Sequence, residues 1–451
     1  MSNTDDQDLV ERMYGYLADD EDARVCKDIP DSACADQPQA FVAHLIALTL
    51  TKLGDSLVSA RLVLPWLLSS LGAPAAFIAA LVPLRESLAL LPQLIVAQQL
   101  RETPIRKWFW VAGSFGQAAA LIGMLVTVLT LSGEALGWAI VILLAVFSIA
   151  RGVCSVAIKD VQGKTISKTR RGRMSGLAAS TAGLLSVLTA GVILFAPQVF
   201  DEQWLTDGSP WLFAGLLGFA ALLWAAAALV YAQVPEVPGA TSGGGNALTE
   251  ALRSLRLLWT DRQFGQFVLT RALLVSSAFA IPYIVVVIQR SGDGSLTSLG
   301  GMMLASGLAG LVAGRFWGRW SDRASHQVMA AAALTSCLVM LATLLMYQFE
   351  KQWLGYQWVG ALLIFSAAVA HHGARVGRKT YLVDMATQDN RAQFTAVSNT
   401  VIGLVLLLGI LLGPLESAAG ISVVLGLLIV LGVIAGLRAL TLPNPQKDSE
   451  Q

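Results

Sequence analysis

Charged side chains lie inside long apolar stretches of this sequence, where ions are rare. Lys52, Asp55 and Arg61 occur in the first stretch, and Arg85 and Glu86 occur in the second. Within a membrane, an ion at the centre of a helix costs about 2.5–3.5 kcal/mol on insertion scales, so such a residue usually faces a partner or a water-filled cavity. We therefore take four of them as candidate substrate ligands: Asp55, Arg61, Arg85 and Glu86.

Two of the bases could form an anion site. Counted from the far ends of their stretches, Arg61 and Arg85 lie at a similar depth of about 15 Å, so their guanidinium groups could converge on one cavity. Bases outnumber acids inside the apolar stretches, and a buried Arg needs a counter-charge, so the pattern favours an anionic substrate. The remaining bases are Lys52, Arg151 and Arg271, of which the last two could extend to the membrane surface.

A second interpretation leaves the cavity neutral. Arg61 could pair with Glu86, and Arg85 with Asp55, because salt-bridged helices are common where membrane charges occur. Lys52 and Asp55 are also three residues apart on one helix face and could neutralise each other. Both interpretations stay open at the level of sequence.

Two adjacent histidines, His371 and His372, lie in a later apolar stretch. Histidine titrates near neutral pH, so one that faces a cavity could couple proton movement to transport, as could the carboxylate of Asp55. Alternatively, these histidines are hydrogen-bonded packing residues, which is the more frequent role inside a membrane.

The sequence matches itself when it is displaced by 220 residues. The matched pairs include Lys159 with Lys379, and Glu102 with Asp322. A period this long predicts two fused copies of one helical unit. In that arrangement a substrate site forms at the interface between the two halves.

Composition predicts a membrane protein. Hydrophobic residues make up 55% of the chain and charged residues only 14%, with a mean hydropathy of +0.63. Soluble domains carry about 25% charged residues, and a helix needs about 20 largely apolar residues to cross the hydrocarbon core. Twelve such stretches are predicted, at residues 41–71, 75–96, 108–131, 135–158, 175–195, 211–233, 267–288, 298–317, 328–347, 358–376, 395–415 and 420–440.

The distribution of basic residues predicts the orientation. Most of the 31 Lys and Arg residues fall in the termini and in alternate loops, whereas the other loops hold only Arg290 and Lys351. By the positive-inside rule, both termini are expected to be cytoplasmic. We therefore expect an integral, multi-pass protein of a bacterial inner membrane.

Five segments follow from this pattern. Residues 1–40 hold eleven Asp or Glu and three Lys or Arg, and form an acidic cytoplasmic segment that could recruit a protein partner. Residues 41–233 and 267–440 are two six-helix bundles, 234–266 are a cytoplasmic linker with an amphipathic helix, and 441–451 are a cytoplasmic tail. Cys26 and Cys34 are expected to be free thiols in a reducing cytoplasm.

The residues before the predicted ninth span carry a recognisable motif. Residues 314–323 read Gly-Arg-Phe-Trp-Gly-Arg-Trp-Ser-Asp-Arg, which resembles the front part of the G-x-x-x-D-R-x-G-R-[RK] loop of the major facilitator superfamily. The later part differs, because Ser325 and His326 stand where Gly and Arg are usual. In the first half, Glu102 matches the acid, and Gln98 stands at the place of the glycine.

This resemblance implies an all-α membrane protein with twelve transmembrane helices in two pseudo-symmetric six-helix bundles. It also implies a secondary transporter that works by alternating access. Independently of the family, a carboxylate at a helix end beside guanidinium groups can form a cluster that breaks when the bundles move. The predicted gate contains Glu102, Arg106, Gly318, Asp322 and Arg323; alternatively, these charges only stop the helices and fix the topology.

Other classes of function have little support in the sequence. It has no P-loop, no Ser, His and Asp set at a recognised spacing, no His-Glu-x-x-His motif and no dinucleotide-binding fingerprint. We therefore predict no enzymatic activity, no cofactor, no metal and no nucleic-acid partner.

The predicted function is transport of a small solute across the lipid bilayer, with an organic anion as the favoured substrate and proton coupling as an option. One alternative is a non-transporting membrane sensor or assembly factor with the same fold. A second is a drug or metabolite exporter, although the predicted fifth span lacks the Gly-Pro-x-x-Gly-Gly element associated with drug-proton antiporters.

Overall fold

The computed structural model describes residues 11, 14, 29–90, 99–100, 102–199, 209–239, 254–292, 296–386 and 390–445, and nearly all of them are helical. Most of the acidic segment, residues 240–253 of the linker and residues 446–451 lie outside this part of the chain. The roles predicted for those segments are therefore proposals only.

The long helices form twelve membrane spans, which we number in chain order. Span 1 comprises Gln37–Leu57 and Val63–Ser70, span 2 Ala75–Leu90, span 3 Lys107–Thr130, span 4 Gly133–Thr165, span 5 Lys168–Val199, span 6 Pro210–Ala232, span 7 Arg262–Leu273 and Ser276–Ser291, spans 8 and 9 the two parts of Leu296–Phe349, span 10 Gln357–Met385, span 11 Arg391–Leu408 and Leu412–Ala419, and span 12 Ile421–Leu440. A short helix, Asp31–Ala35, precedes span 1, and another, Leu257–Thr260, precedes span 7. Two 3₁₀ turns also occur: Lys351–Gly355 lies between spans 9 and 10, and Gly409–Leu411 joins the two parts of span 11.

The predicted fold class is confirmed. Ten helical stretches of the described chain are long and apolar enough to cross a membrane. One of them contains two spans, 8 and 9. Ala324 divides it, because its backbone is not helical (φ −158°, ψ 73°). Span 2, whose described part Ala75–Leu90 has 16 residues, is counted in addition to these ten stretches. The spans form two pseudo-symmetric bundles of six.

Span 1 is interrupted, whereas the sequence predicts a continuous helix over 41–71. The helix ends at Leu57 and resumes at Val63. Pro65 explains the interruption, because proline has no backbone N–H and its ring collides with the carbonyl group four residues earlier, here that of Arg61. Arg61 consequently lies in a turn and not at the centre of a helix.

Spans 4 and 10 are longer than predicted. They continue to Thr165 and Met385, whereas the predicted stretches end at 158 and 376. Basic residues do not end a helix, since Lys and Arg have high helix propensities. Lys159, Arg378 and Lys379 therefore lie on helices and not in loops, which decides where their side chains can reach.

The outer surface of the protein is apolar. Large side chains such as Leu222 and Val192 are 69% and 67% exposed, while Trp66 and Trp224 are buried inside the bundle. A soluble protein rarely exposes so much apolar surface. A membrane protein presents it to lipid, so this pattern agrees with twelve spans.

The molecule has two faces that differ in charge. We call the face that carries Arg106, Lys164 and Arg323 the basic face, and the face that carries Arg290 and Lys351 the opposite face. The basic face is the one that the sequence predicts to be cytoplasmic.

The two halves touch near the opposite face. Gly413 of span 11 approaches span 2 so closely that a Cβ atom on it would lie 2.6 Å from the Cα atom of Ala76. Gln289 of span 7 donates hydrogen bonds through Nε2 to the carbonyl oxygen of Trp66 (3.2 Å) and to Oγ of Ser70 (2.6 Å) in span 1. These contacts hold the halves together on this side.

The halves separate toward the basic face. Spans 5 and 8 pack where Gly183 meets Leu311, since a Cβ on that glycine would lie 3.0 Å from Cδ2 of the leucine. Closer to the basic face, a Cβ on Gly176, Gly314 or Gly318 would meet nothing within 4 Å in the described chain. On the same side, the described parts of spans 4 and 10 do not pack against each other, so the structure is open toward the basic face.

One prediction about the cysteines is wrong. Cys34 is disulfide-bonded, whereas Cys154 and Cys337 are free. Cys26, the other cysteine of this prediction, lies outside the described residues. The prediction of free thiols rested on the redox state expected of the cytoplasm.

Candidate substrate-binding site

A central cavity of about 340 Å³ lies between the two halves. The turn in span 1, together with spans 2 and 4, lines it from the first half, and spans 7, 10 and 11 line it from the second half. Its polar lining consists of Arg61, Glu86, Ser155, Lys159, Arg271, Ser277, His371, Arg375, Arg378, Lys379 and Asn399. The larger apolar residues in its wall are Leu90, Leu274, Val275, Ile402 and Leu406.

Both carboxylates that the sequence singles out are paired. Asp55 accepts hydrogen bonds from the guanidinium groups of Arg85 and Arg151, the latter at 2.6 Å. Glu86 accepts a hydrogen bond from Nη2 of Arg61 at 2.6 Å. Three guanidinium groups thus share two carboxylates, and the pairs connect span 1 to spans 2 and 4.

Arg61 and Arg85 do not converge on one cavity. Arg61 and its partner Glu86 line the central cavity, whereas Arg85 is absent from its lining. Arg85 is directed toward Asp55, and its guanidinium carbon lies 4.4 Å from the centre of the Phe147 ring. The interruption of span 1 explains the difference, since it removes Arg61 from the helical register on which the predicted depth depends. The two pairs of the neutral-cavity interpretation are both formed.

Lys52 does not neutralise Asp55. Its side chain is exposed and lines a separate cavity of about 270 Å³ between spans 1, 5 and 8. Arginine side chains from two neighbouring spans reach the carboxylate instead, because a guanidinium group offers several donors in a planar arrangement.

The cavity is nevertheless positively charged, through residues that the sequence analysis did not select as substrate ligands. Arg375, Arg378 and Lys379 of span 10 and Lys159 of span 4 line it. Within the described residues none of these four cations forms an ion pair. Each of them therefore lacks a counter-charge in the described chain.

Arg271 of span 7 is a fifth cation that lines the cavity and forms no ion pair within the described chain. It is only 8% exposed, and its guanidinium group donates hydrogen bonds to neutral acceptors: Oγ of Ser398 at 2.5 Å and Oδ1 of Asn399 at 2.9 Å. Its Nε atom has no partner in the described chain. In the described part of the lining, Glu86 is the one carboxylate, and it already forms an ion pair with Arg61.

The polar lining repeats between the two halves. By the displacement of 220 residues, the corresponding pairs are Arg151 and His371, Ser155 and Arg375, and Lys159 and Lys379. Residues four apart lie on one face of a helix. Spans 4 and 10 therefore present equivalent polar stripes from opposite halves, and each stripe ends in a lysine nearest to the basic face.

The two histidines have different surroundings. His371 lines the cavity, is 7% exposed, and has no hydrogen-bond partner at either ring nitrogen among the described residues. His372 is directed toward span 8, with its Nε2 atom 3.6 Å from where a Cβ of Gly310 would lie. A neutral imidazole has one donor and one acceptor nitrogen, so His371 can bind a polar ligand atom.

A cluster of ion pairs lies at the basic face of the first half. The side chain of Glu236 is fully buried and accepts hydrogen bonds from the backbone N–H groups of Arg106 (2.9 Å) and Lys107 (2.7 Å) and from Nζ of Lys164 (2.7 Å). Asp160 pairs with Nη1 of Arg106 (2.5 Å) and Nζ of Lys164 (3.1 Å). This cluster joins the start of span 3, the end of span 4 and the segment after span 6.

The residues of the predicted gate are not brought together. Arg106 belongs to the cluster just described, and Gly318 faces the open space between spans 5 and 8. Three residues are exposed and form no ion pair within the described chain: Glu102, Asp322 and Arg323. The carboxylates that hold Arg106 come from span 4 and from the segment after span 6, outside the matched motif. A gating role for the predicted residues stays a prediction.

Replacing Glu236 with glutamine is expected to lower the melting temperature of the protein. Glutamine keeps the shape of the side chain but removes the charge that pairs with Lys164, and breaking a buried ion pair costs about 3–5 kcal/mol. Intrinsic tryptophan fluorescence during heating in detergent measures the change. Glu102→Gln, an exposed acid on the same face, is the matched control. An equal melting temperature in both variants would contradict a structural role for the cluster.

Sequence reasoning missed the main cations of the cavity. Arg378, Lys379 and Lys159 counted as loop charges because the predicted spans end too early, and Arg375 lies inside the predicted tenth span but was not taken as a ligand. Two signals were nevertheless present: the match of the two lysines in the internal repeat, and the four-residue spacing that joins His371 to two of the cations.

Comparison with known proteins identifies the fold. No family model matches the sequence, and no curated protein matches it. Among solved structures, a variant of the nucleoside transporter NupG superposes with a TM-score of 0.66 at 12% identity, over 89% of this chain and 99% of that chain. A POT family transporter in complex with 5-aminolevulinic acid gives 0.64 at 11% identity, over 89% and 95% of the two chains.

A third similar structure is the inward-open xylose transporter XylE from E. coli, with a TM-score of 0.58 at 15% identity, over 91% of this chain and 97% of that chain. At such low identity the likeness establishes the fold and leaves the substrate open. The described chain shares the fold of these transporters, which confirms the all-α membrane fold that the resemblance of its motif implies.

Proposed function

We propose that this protein is a secondary transporter that moves a small organic anion across the membrane by alternating access. The observation that supports an anion most directly is the lining of the central cavity. Five cations there have no carboxylate partner among the described residues, and His371 has no hydrogen-bond partner among them. An anion supplies the counter-charges and the acceptors that these groups lack.

The cavity wall also favours a ligand with a carbon framework. Leu274, Ile402 and Leu406 lie beside the cations in the lining from spans 7 and 11. Burial of apolar surface contributes about 25 cal/mol per Å², which an inorganic ion cannot exploit. We place the charged end of the substrate at Arg375 and Arg378, and its apolar part beside these three side chains.

The position of the cavity supports alternating access. It lies between the two halves, which touch near the opposite face and separate toward the basic face. Rocking of one half against the other would close the basic face and open the opposite one, while the site stays between them. In the predicted orientation, the state seen here receives substrate from the cytoplasm.

Proton coupling is part of the proposal only at His371. Asp55 is held by two guanidinium groups and lies outside the lining of the central cavity, and His372 is directed toward span 8. His371 faces the cavity, so gain or loss of a proton on its ring would act directly on a charged substrate.

Thermal stabilisation of the purified protein in nanodiscs tests the proposal. The anions are lactate, succinate, citrate and glycerol 3-phosphate; the cation is choline; and the remaining solutes are xylose, uridine and alanyl-alanine. A ligand that binds only the folded state raises the melting temperature by mass action. We expect stabilisation by anions alone.

Two variants make the result specific to the cavity. Arg375→Gln should abolish the stabilisation, whereas Arg315→Gln, an exposed arginine of span 8 outside the central cavity, should retain it. Equal stabilisation by choline or xylose would overturn the anion proposal. A panel without any effect would favour the non-transporting alternative, for which loss of a co-purifying protein on deletion of residues 1–36 is the positive sign.

A further inference from the structure

Two lysines lie at equivalent positions of the two halves, at the mouth of the central cavity. Lys159 on span 4 and Lys379 on span 10 match in the internal repeat, and both line the cavity. Both are exposed in the open structure, as is Arg375. Water therefore hydrates these three cations while the basic face is open.

Closing the basic face would remove this water. Spans 4 and 10 would approach each other from opposite halves, and the lysines at the ends of their polar stripes would come together. Cations without a counter-charge are costly inside a membrane. The carboxylate of Glu86 is already paired with Arg61, so it does not compensate them.

We infer that the substrate is a multivalent anion, and that its charge is what allows the basic face to close by compensating Lys159 and Lys379 together. This inference rests on the proposed function and narrows its substrate to anions with two or more negative charges, such as dicarboxylates, tricarboxylates and phosphate esters. A cavity without substrate stays open to the basic face.

The spacing of the cations favours two separated negative groups. Arg375 and Lys379 lie one helical turn apart on span 10, about 6 Å along the helix axis. Lys159 belongs to the other half of the molecule. A single carboxylate bound at Arg375 leaves the lysines at the mouth uncompensated, whereas a second anionic group on the same molecule can reach them.

Disulfide cross-linking across the gap between spans 5 and 8 measures closure. Gly176 and Gly318 face open space in this structure, so cysteine fits at both positions without a collision. The pair Gly176→Cys and Gly318→Cys is introduced into a protein whose native cysteines have been replaced. Cross-linking should be slow without ligand and faster when the basic face closes.

The inference predicts how charge changes this rate. Citrate, succinate or glycerol 3-phosphate should accelerate cross-linking about tenfold, a size typical of coupling between a ligand and a conformational change. Lactate at the same ionic strength should not. The double variant Lys159→Gln and Lys379→Gln should cross-link about tenfold faster without any ligand. Lys351→Gln, a lysine at the opposite face, is the matched control and should leave the rate unchanged.

Several outcomes would overturn the inference. One is a double variant that keeps the melting temperature of the parent and also its slow cross-linking; another is acceleration by lactate equal to that by citrate. If citrate raises the melting temperature but leaves cross-linking unchanged, the proposed function stands and the inference fails. If no anion in the panel raises the melting temperature, the anionic substrate fails together with the proposed function, whatever the double variant does.

Discussion

Replacing Asp55 with asparagine is expected to destabilise the protein by about 3 kcal/mol, the lower end of the cost of breaking a buried ion pair. The carboxylate of Asp55 holds two guanidinium groups, and the side chain of Arg85 is only 11% exposed. Asparagine keeps the size of the side chain and removes the charge, so Arg85 stays buried without compensation. The melting temperature in detergent, measured together with the yield of monodisperse protein, checks this prediction.

Two further variants separate the ion pair from other effects. Lys52→Gln changes an exposed charge one turn away on the same helix and should leave the melting temperature unchanged. The double variant Asp55→Asn with Arg85→Gln should be more stable than Asp55→Asn alone, because it removes the uncompensated charge as well as its partner. If the double variant lost the sum of the two single effects, Asp55 and Arg85 would not be coupled.

Replacing Arg378 with glutamine is expected to weaken binding of an anionic ligand by about 10- to 100-fold. Arg378 lines the central cavity, is half-buried, and has no ion pair in the described chain, so it is available to a ligand. A hydrogen bond to a charged group is worth about 1.5–3 kcal/mol, which corresponds to this change in affinity. The measurement is the concentration of citrate that gives half of the maximal thermal stabilisation.

The same titration on Arg315→Gln is the control for loss of positive charge. Arg315 lies on the exposed surface of span 8, beside a cleft that Arg319 and Arg323 also line, so it does not contact a ligand in the central cavity. Both variants lower the net charge of the protein by one, and only Arg378→Gln should shift the titration. Equal shifts would show that the general charge of the protein, and not a specific contact, controls binding.

The main features of the fold follow from local properties of the sequence. Apolar stretches of membrane-crossing length predict the spans, because backbone groups inside lipid must be satisfied within a helix. The internal repeat predicts two equivalent bundles with a site between them. Helix ends were less predictable, since Lys159 and Lys379 look like loop charges whether the helix stops before them or continues through them. The break in span 1 could have been anticipated from Pro65.

The candidate site was only partly predictable. Sequence spacing identifies Asp55, Arg61, Arg85 and Glu86 as unusual, and both pairings of the neutral-cavity interpretation occur in the structure. Spacing does not say which face of a helix points to the other half, because that depends on how each span is rotated in the bundle. For this reason Arg61 and Arg85 were expected to supply the positive charge of the cavity, whereas unpaired cations of spans 4, 7 and 10 supply it.

The sequence by itself determines that this chain is a membrane protein of two repeated helical bundles, because hydropathy and repetition are properties of the chain alone. Only the tertiary structure decides which charges cancel and which remain available. Asp55 and Glu86 pair with three arginines of the first half: Arg61, Arg85 and Arg151. The stripe from His371 to Lys379 faces the cavity without a carboxylate partner among the described residues. The physical reason is distance: the energy of a charge depends on its neighbours in space, and packing of separate spans fixes those neighbours.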